Sequence, residues 1–407
     1  VEAPVSVVAN GETVYTVTVK AVDKNNLVVA NFDGYVRYEG DLDIESQIVA
    51  HAVDSTGKAI DNQPIVEMKD GIATIQFKAP TSVEDLEEAE LEFTLYEDLE
   101  DAKNDEDDLA DIDVTIEVEE QIATTFSLEA DKYLPVNVDI PAEVTVYVYD
   151  QAGVEMESGA WDFKIKVKGP AELDDEYDDE PTLESGESFK LVAKDEDETG
   201  DVVVTVTSTD DELEGLEAQV TIKAVEAGKA KGITLTADDD KVEAGDENAY
   251  TIMFVDKNGV PTEYDGDAVE ITVTFGGMLE DLTSVVQSVE DSDGTDITSY
   301  VDFDDNAISF ELNEGDYKAT ITVISKKAGT YTVTAEAEDL GKSSVSSAVV
   351  ANTDAQHYVG FKADQMFVLK GGEVTLVAQL YDKYGNPLAK SGMPITFKTD
   401  DDDYTNI

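Results

Sequence analysis

The chain has no cysteine among its 407 residues. A disulfide framework, a thiolate nucleophile and a thiolate metal site are therefore excluded, and the redox compartment is not set by cysteine usage. Histidine is almost as scarce, with His51 inside an alternating segment and His357 in a polar joint. No Ser or Thr arrangement surrounds either one, so the sequence offers nothing from which an acyl-transfer triad could be built. No run approaches the roughly 18 apolar residues of a membrane-spanning helix. Basic residues are outnumbered, 27 Lys plus Arg against 93 Asp plus Glu, for a formal net charge of −66. Such a field repels phosphates and anionic lipid, so we expect no nucleic-acid binding and no membrane insertion. Two carboxylates across a cleft can make a glycosidase, but with 93 available any pair can be nominated and the signal is empty. The expectation is a chain that is not an enzyme. It opens Val1-Glu2-Ala3-Pro4 with neither an initiator methionine nor a signal-peptide pattern, and reads as a piece of something longer.

What is present is apolar material in quantity: 41% of residues are hydrophobic, enough for real cores rather than disorder. The length exceeds what one core usually organises, which predicts three or four domains. The excess of one charge sign weakens compact states and close neighbour contacts unless counterions screen it, over a length of about 10 Å at about 0.1 M salt. A cation is therefore expected in the working protein, as Ca²⁺ held between carboxylates or as the diffuse hydrated shell of a salt-adapted surface.

One pattern recurs four times. An alternating strand runs into an aromatic or Val, then Asp, then a turn: Val22-Asp23-Lys24-Asn25-Asn26, Tyr149-Asp150-Gln151-Ala152-Gly153, Val255-Asp256-Lys257-Asn258-Gly259 and Tyr381-Asp382-Lys383-Tyr384-Gly385. Asp can bond its own downstream backbone while Gly or Asn takes positive φ, so each is a hairpin turn with a mechanism. The strands on either side have period two. Tyr15, Val17, Val19 and Ala21 share a face before the first turn, as do Val144, Val146 and Val148, then Tyr250, Ile252 and Phe254, then Val374, Leu376, Ala378 and Leu380. Trp161, Phe163, Ile165 and Val167, then Val269, Ile271, Val273 and Phe275, then Met393, Ile395 and Phe397 repeat the face after the turn. Trp161 is on this reading a core residue and not a sugar platform.

The successive Asp residues lie 127, 106 and 126 positions apart, about one β-sandwich each. We expect an all-β chain of tandem immunoglobulin-like sandwiches in a semi-rigid row. Its units are 1–120 with an acidic insertion, 121–226, 227–355, and an incomplete first half of a sandwich over 356–407. The joints Glu119-Glu120-Gln121, Glu226-Ala227-Gly228 and Asn352-Thr353-Asp354-Ala355 are too short for free tumbling. Two segments have apolar spacings nearer three and four, Val83-Leu86-Glu87-Glu90-Leu91 and Met278-Leu282-Val285-Val286-Val289, and predict short helices.

Metal binding is the one chemistry the residues favour. Ca²⁺ takes six to eight oxygens, several of them carboxylates, and loops at sandwich ends can supply them without a fixed motif. The candidates are Asp105, Asp107 and Asp108 with Asp111; Asp174, Asp175, Asp178 and Asp179; Asp195 and Asp197; Asp238, Asp239 and Asp240; and Asp291, Asp293 and Asp296. None completes an EF-hand, because Asp291-Ser292-Asp293-Gly294 lacks the later Glu at the required spacing. The bland alternative for each is a solvated acidic run.

Several of these segments resemble a known family. Phe361-Lys362-Ala363-Asp364, Leu369-Lys370-Gly371-Gly372-Glu373-Val374-Thr375-Leu376 and Tyr381-Asp382-Lys383-Tyr384-Gly385-Asn386-Pro387-Leu388 resemble the opening half of bacterial Ig-like domains of the invasin and intimin type. Ile233-Thr234-Leu235-Thr236-Ala237-Asp238 and Asp256-Lys257-Asn258-Gly259-Val260-Pro261 repeat it, and Gly329-Thr330-Tyr331-Thr332-Val333-Thr334-Ala335 looks like the closing strand. The third and fourth units match well, the second moderately and the first loosely. Such domains form adhesin stalks and the bodies of S-layer proteins of Gram-positive bacteria, and the acidic, cysteine-free composition looks more like the latter. The resemblance then implies an extracellular location at the cell surface and Ca²⁺-assisted assembly with copies of itself into a lattice or filament. It also implies cell-wall anchoring through a region outside this chain. An adhesin stalk, or spacer domains of a secreted polysaccharide-active enzyme, are the alternatives.

Overall fold

A computed structural model describes residues 1–388 apart from 56, 84–85, 157, 278–279, 354–357 and 364–375. The expected positions of His357, Val374, Met393, Ile395 and Phe397 lie outside the described residues. The chain is all-β, as the alternation requires. Helix within it is confined to Leu99–Asn104, Leu282–Val285 and a single 3₁₀ turn at Thr298–Tyr300 among the described residues.

Val1–Glu119 forms a six-stranded sheet and a two-stranded one. The first runs in the order Ser6–Val8, Ala110–Glu119, Glu88–Tyr96, Gly34–Gly40, Ala59–Met68, Ala50–Val53, and the second pairs Val14–Lys20 with Ile72–Lys78. Their apolar faces meet in a core that includes Val17, Val19, Val36, Ile75, Leu91 and Ile116. Within it the Tyr38 and Phe77 rings meet edge to face at 4.9 Å. Each such buried side chain contributes about 1.5–3 kcal/mol by leaving water.

The next sandwich has a five-stranded sheet (Tyr133–Pro135, Glu217–Val225, Gly200–Ser208, Ala160–Lys168, Thr182–Glu184) and a four-stranded one (Ala171–Leu173, Ser188–Ala193, Ala142–Asp150, Ala123–Ala130). Val144, Val146, Val148, Trp161 and Phe163 are all buried, so Trp161 is a core residue. The third has a four-stranded sheet (Gly232–Ala237, Glu247–Val255, Lys318–Ile324, Val286–Glu290) and a six-stranded one (Lys241–Glu243, Gly341–Val350, Gly329–Ala337, Ala268–Gly276, Ala307–Asn313, Asp302–Phe303). Its core gathers Tyr250, Ile252 and Phe254 with Val269, Ile271, Val273 and Phe275, as the alternation predicts. Beyond it, Tyr358–Ala363 pairs antiparallel with Leu376–Tyr381.

One device is common to the three sandwiches. A short early strand lies parallel to the last: Ser6–Val8 on Glu117–Glu119, Tyr133–Pro135 on Lys223–Val225, and Lys241–Glu243 on Ala348–Val350. The chain thus crosses early from one sheet to the other, and the loop after this short strand sits at the sandwich end. The described residues group into two compact units, Val1–Thr125 together with Val148–Glu157, and Phe126–Tyr147 together with Ser158–Ala389.

The helix expected near Val83–Leu91 does not form. Glu88–Tyr96 is a strand in which buried Ala89, Leu91 and Phe93 alternate with exposed Glu88, Glu90 and Glu92. A strict period of two over those residues outweighs the coincidental three-residue spacing of Val83 and Leu86. The helix of this region is Leu99–Asn104, ended by Asp105 in the left-handed region at φ 58° and ψ 48°. The second expected helix forms as one turn, Leu282–Val285, capped by Asp281, whose carboxylate accepts from the Thr283 N–H.

Candidate functional site

The acidic runs are placed by turn and strand geometry. Asp105 is the most engaged: its Oδ1 accepts from the Tyr96 hydroxyl at 2.6 Å and lies 3.0 Å from Nη1 of Arg37, the chain's single arginine. The Tyr96 hydrogen bond lowers the Asp105 pKa, against burial and with help from Arg37. Burial, and then Asp105 itself, push the Tyr96 hydroxyl up to about 12. Asp107 and Asp108 follow exposed in the loop, and Asp111 is exposed on the Ala110–Glu119 strand. Two positions on, Asp113 stands opposite Glu92 across the antiparallel pair. Burial and the charges of Asp113, Glu39 and Asp111 raise the Glu92 pKa, the expected sign for like charges paired across strands.

Asp174 caps its own turn, accepting from the Glu176 N–H at 3.0 Å, while Asp175, Asp178 and Asp179 point to solvent beside it. Asp195 and Asp197 are exposed in the connection before Gly200–Ser208. Asp238 is raised by burial and by Asp239 and Glu143. The backbone of Asp239 is held by Asn248, and the carbonyl of Asp240 accepts from the Ala348 N–H. Asp291 accepts from the N–H groups of Asp293 and Thr295 at 3.0 and 2.9 Å, and Asp296 from that of Thr298 at 2.8 Å.

Among the described residues, no three His, Asp or Glu side chains come together as a group that could hold an ion. Several of these carboxylates also spend an oxygen on their own backbone. His51, in the Ala50–Val53 strand, buries both ring nitrogens without a hydrogen-bond partner among the described residues.

The four recurring turns are hairpin turns with one hydrogen-bond pattern. In each, one aspartate oxygen accepts from the backbone N–H two and four residues on: Asn25 and Leu27 for Asp23, Ala152 and Val154 for Asp150, Asn258 and Val260 for Asp256, Tyr384 and Asn386 for Asp382, all between 2.6 and 3.0 Å. The turn of Asp291 is a further instance that pattern reading did not single out. Three of the four do more. Asp150, Asp256 and Asp382 are 1%, 4% and 0% exposed, and their second oxygen reaches the segment leading into their own sandwich. Asp150 Oδ2 accepts from Gln121 at 3.2 Å and from Asn10 at 2.7 Å. Asp256 Oδ2 accepts from the Gly228 N–H at 3.1 Å, and Asp382 Oδ2 from the Asn352 N–H at 3.0 Å. Burial is the largest influence on all three carboxyls and raises them. The summed hydrogen bonds outweigh it and hold each below the usual carboxylate range.

Each joint carries further partners from the loop after the preceding short parallel strand. Asn137 grips both the N–H and the carbonyl of Ala227, at 2.6 and 3.0 Å. The Ala244 carbonyl accepts from Asn352 Nδ2 at 3.2 Å, and the Tyr384 ring lies over Gly245 so closely that a Cβ there would meet its hydroxyl at 2.3 Å. Asn386 donates to the Lys326 carbonyl and accepts from the Ala328 N–H. None of Asn10, Gln121, Asn137, Asn352 and Asn386 was a candidate from sequence. The recurrence of carboxamides beside short joints was the available signal.

These sheets and joints define a chain of tandem β-sandwiches. No protein-family model matches it. Among solved structures it is similar to the surface layer protein SbsC, domains 4–9, at 16% identity over 86% of this chain and 54% of that one, with a TM-score of 0.41. The chain thus spans about half the length of that SbsC segment. It is also similar to invasin, a bacterial integrin-binding protein, at 13% identity over 94% of this chain and 75% of that one, TM-score 0.26. A β-glycosidase from Bacteroides vulgatus aligns at 14% identity over 55% of this chain and 25% of that one, TM-score 0.25.

Proposed function

We propose that this chain is a structural, non-enzymatic region of a bacterial surface layer. In this reading it is extracellular, with Ig-like units at 1–120, 121–226 and 227–355 and the start of another after 355, and it associates with copies of itself with Ca²⁺ between acidic edges. The observation that carries the reading is repetition of the joint: one buried aspartate ties each of three turns to the segment entering its sandwich. A chain whose work is to hold spacing needs such joints.

The cation half rests on uncompensated charge. Asp131 is raised by burial and by Glu143, and Asp238 by burial, Asp239 and Glu143, which gathers carboxylates of two sandwiches into one field. A divalent cation there, or between molecules, relieves repulsion that monovalent salt only screens. The test is isothermal titration of Ca²⁺ into chelated protein in low-salt buffer, with light scattering on the same samples. Saturable heat together with growth of large assemblies is the expected result. Absence of both leaves a diffuse salt shell and overturns the Ca²⁺ reading. A monodisperse monomer at high concentration with Ca²⁺ bound overturns self-assembly in favour of an adhesin stalk.

A further inference from the structure

We infer that the second carboxylate oxygen of Asp150, Asp256 and Asp382 is the lock that fixes each sandwich to the chain segment entering it, separable from the turn-forming role of the first oxygen. Three observations converge on this division of labour. The turn itself does not need the second oxygen: Asp291 builds the same pattern from one oxygen and two N–H groups, and no joint segment donates to its other oxygen among the described residues. Wherever a joint is present, the second oxygen turns to it, although the donor differs each time: the side-chain amide of Gln121, the N–H of Gly228, the N–H of Asn352, with Asp150 also accepting from Asn10 after the first strand of the preceding sandwich. The contact is also tight, since a Cβ on Gly228 would stand 3.1 Å from Asp256 Oδ2.

The chemistry explains why an acid serves here. A carboxylate accepts at both oxygens, so it can satisfy two turn amides and one or two joint donors together, which a carboxamide cannot. Buried and hydrogen-bonded on both sides, it also excludes alternative joint geometries, since any swing of the joint would strand a desolvated charge. The surrounding bonds reinforce it. The Thr262 hydroxyl donates to the Gly228 carbonyl at 2.8 Å, and Lys327 Nζ to the Tyr384 carbonyl at 2.9 Å.

The isosteric change Asp256→Asn tests this in the whole chain. Its single oxygen can keep capping the Asn258 and Val260 N–H groups, while its amide then faces the Gly228 N–H, donor against donor. Because the chain has no cysteine, spin labels at Lys166→Cys and Glu336→Cys report on the joint between those two sandwiches without competing sites. The expected result is an inter-label distance distribution at least twofold broader in Asp256→Asn than in the parent, with Asp23→Asn unchanged. Gly228→Pro, which removes the donor and crowds the second oxygen of Asp256 while leaving its first oxygen free to cap the turn, should broaden it similarly. That variant also covers the case in which Asp256→Asn fails to fold. Unchanged widths in Asp256→Asn or Gly228→Pro, or equal broadening in Asp23→Asn, overturn the assignment. This inference stands whether or not the chain assembles or binds Ca²⁺.

Discussion

The turns at Asp23 and Asp256 share a sequence, Val-Asp-Lys-Asn, and share a hydrogen-bond pattern to within about a tenth or two of an ångström. Their surroundings differ. Leu27, four residues after Asp23, is 65% exposed, whereas Val260 in the same place is 3% exposed, and Asp23 itself is open to solvent. Asp23 Oδ2 accepts from its own neighbour Asn25, and Asp256 Oδ2 adds the Gly228 N–H. A four-residue motif therefore determines the turn, and the segment packed on it determines whether the aspartate becomes a buried structural charge.

The largest effect that could break this comparison comes from deleting the carboxylate. Asp256→Ala or Asp382→Ala leaves several backbone donors buried without an acceptor, and should cost about 2–4 kcal/mol in local stability. Asp23→Ala should cost clearly less, since water replaces the lost acceptor. Amide hydrogen exchange resolves the two places within one chain, where global melting of several sandwiches would not. Equal loss of protection around residues 23–28 and 256–261 would mean that burial is irrelevant to the turn.

Acid should separate the regions next. Hydrogen bonds hold Asp150, Asp256 and Asp382 below the usual range despite burial. Their stabilisation is complete above the unfolded carboxyl value of about 4 and is lost as pH falls through the lower folded value. Asp131 and Asp238 have the opposite sign. Burial first, then neighbouring carboxylates, raise them, so they cost stability once pH rises above the ordinary range and release it on acidification. Stability of the second and third sandwiches should therefore rise modestly as pH is lowered from neutrality toward the ordinary carboxyl value of about 4, then fall below it as the joints protonate. Asp131→Asn should flatten the upper limb and Asp256→Asn the lower one, both read by exchange against pH. A profile that declines monotonically from neutrality would contradict the assignment of Asp131 and Asp238.

Much of the fold was legible because a period of two leaves little choice of face. Val144, Val146 and Val148 are buried where alternation puts them, and the Asp-x-x-Gly turns form for the reason their residues suggest. The Glu88–Tyr96 strand was misread because Val83 and Leu86 just before it happen to lie three residues apart, while the real helix, Leu99–Asn104, is six residues long and carries one buried side chain. Arg37 and Tyr96 were invisible as partners of Asp105, since they sit 68 and nine residues away and meet it through sheet register. The joints were read as short and polar, which they are, but Asn10 and Asp150 are 140 residues apart and no local pattern links them.

The smallest expected effect isolates backbone strain from the lock. Gly259 adopts φ +81° and nothing lies within 4 Å of where its Cβ would be, so Gly259→Ala costs strain alone, about 1 kcal/mol. The first turn has Asn26 at φ 62° in this region, a residue that tolerates it, so Asn26→Gly should be close to neutral. If the joint is held by the second oxygen of Asp256, Gly259→Ala should speed exchange within its hairpin yet leave the inter-label width between Lys166→Cys and Glu336→Cys as in the parent. A broadening as large as that of Asp256→Asn would mean that stiffness of the turn, and not the carboxylate, sets the joint.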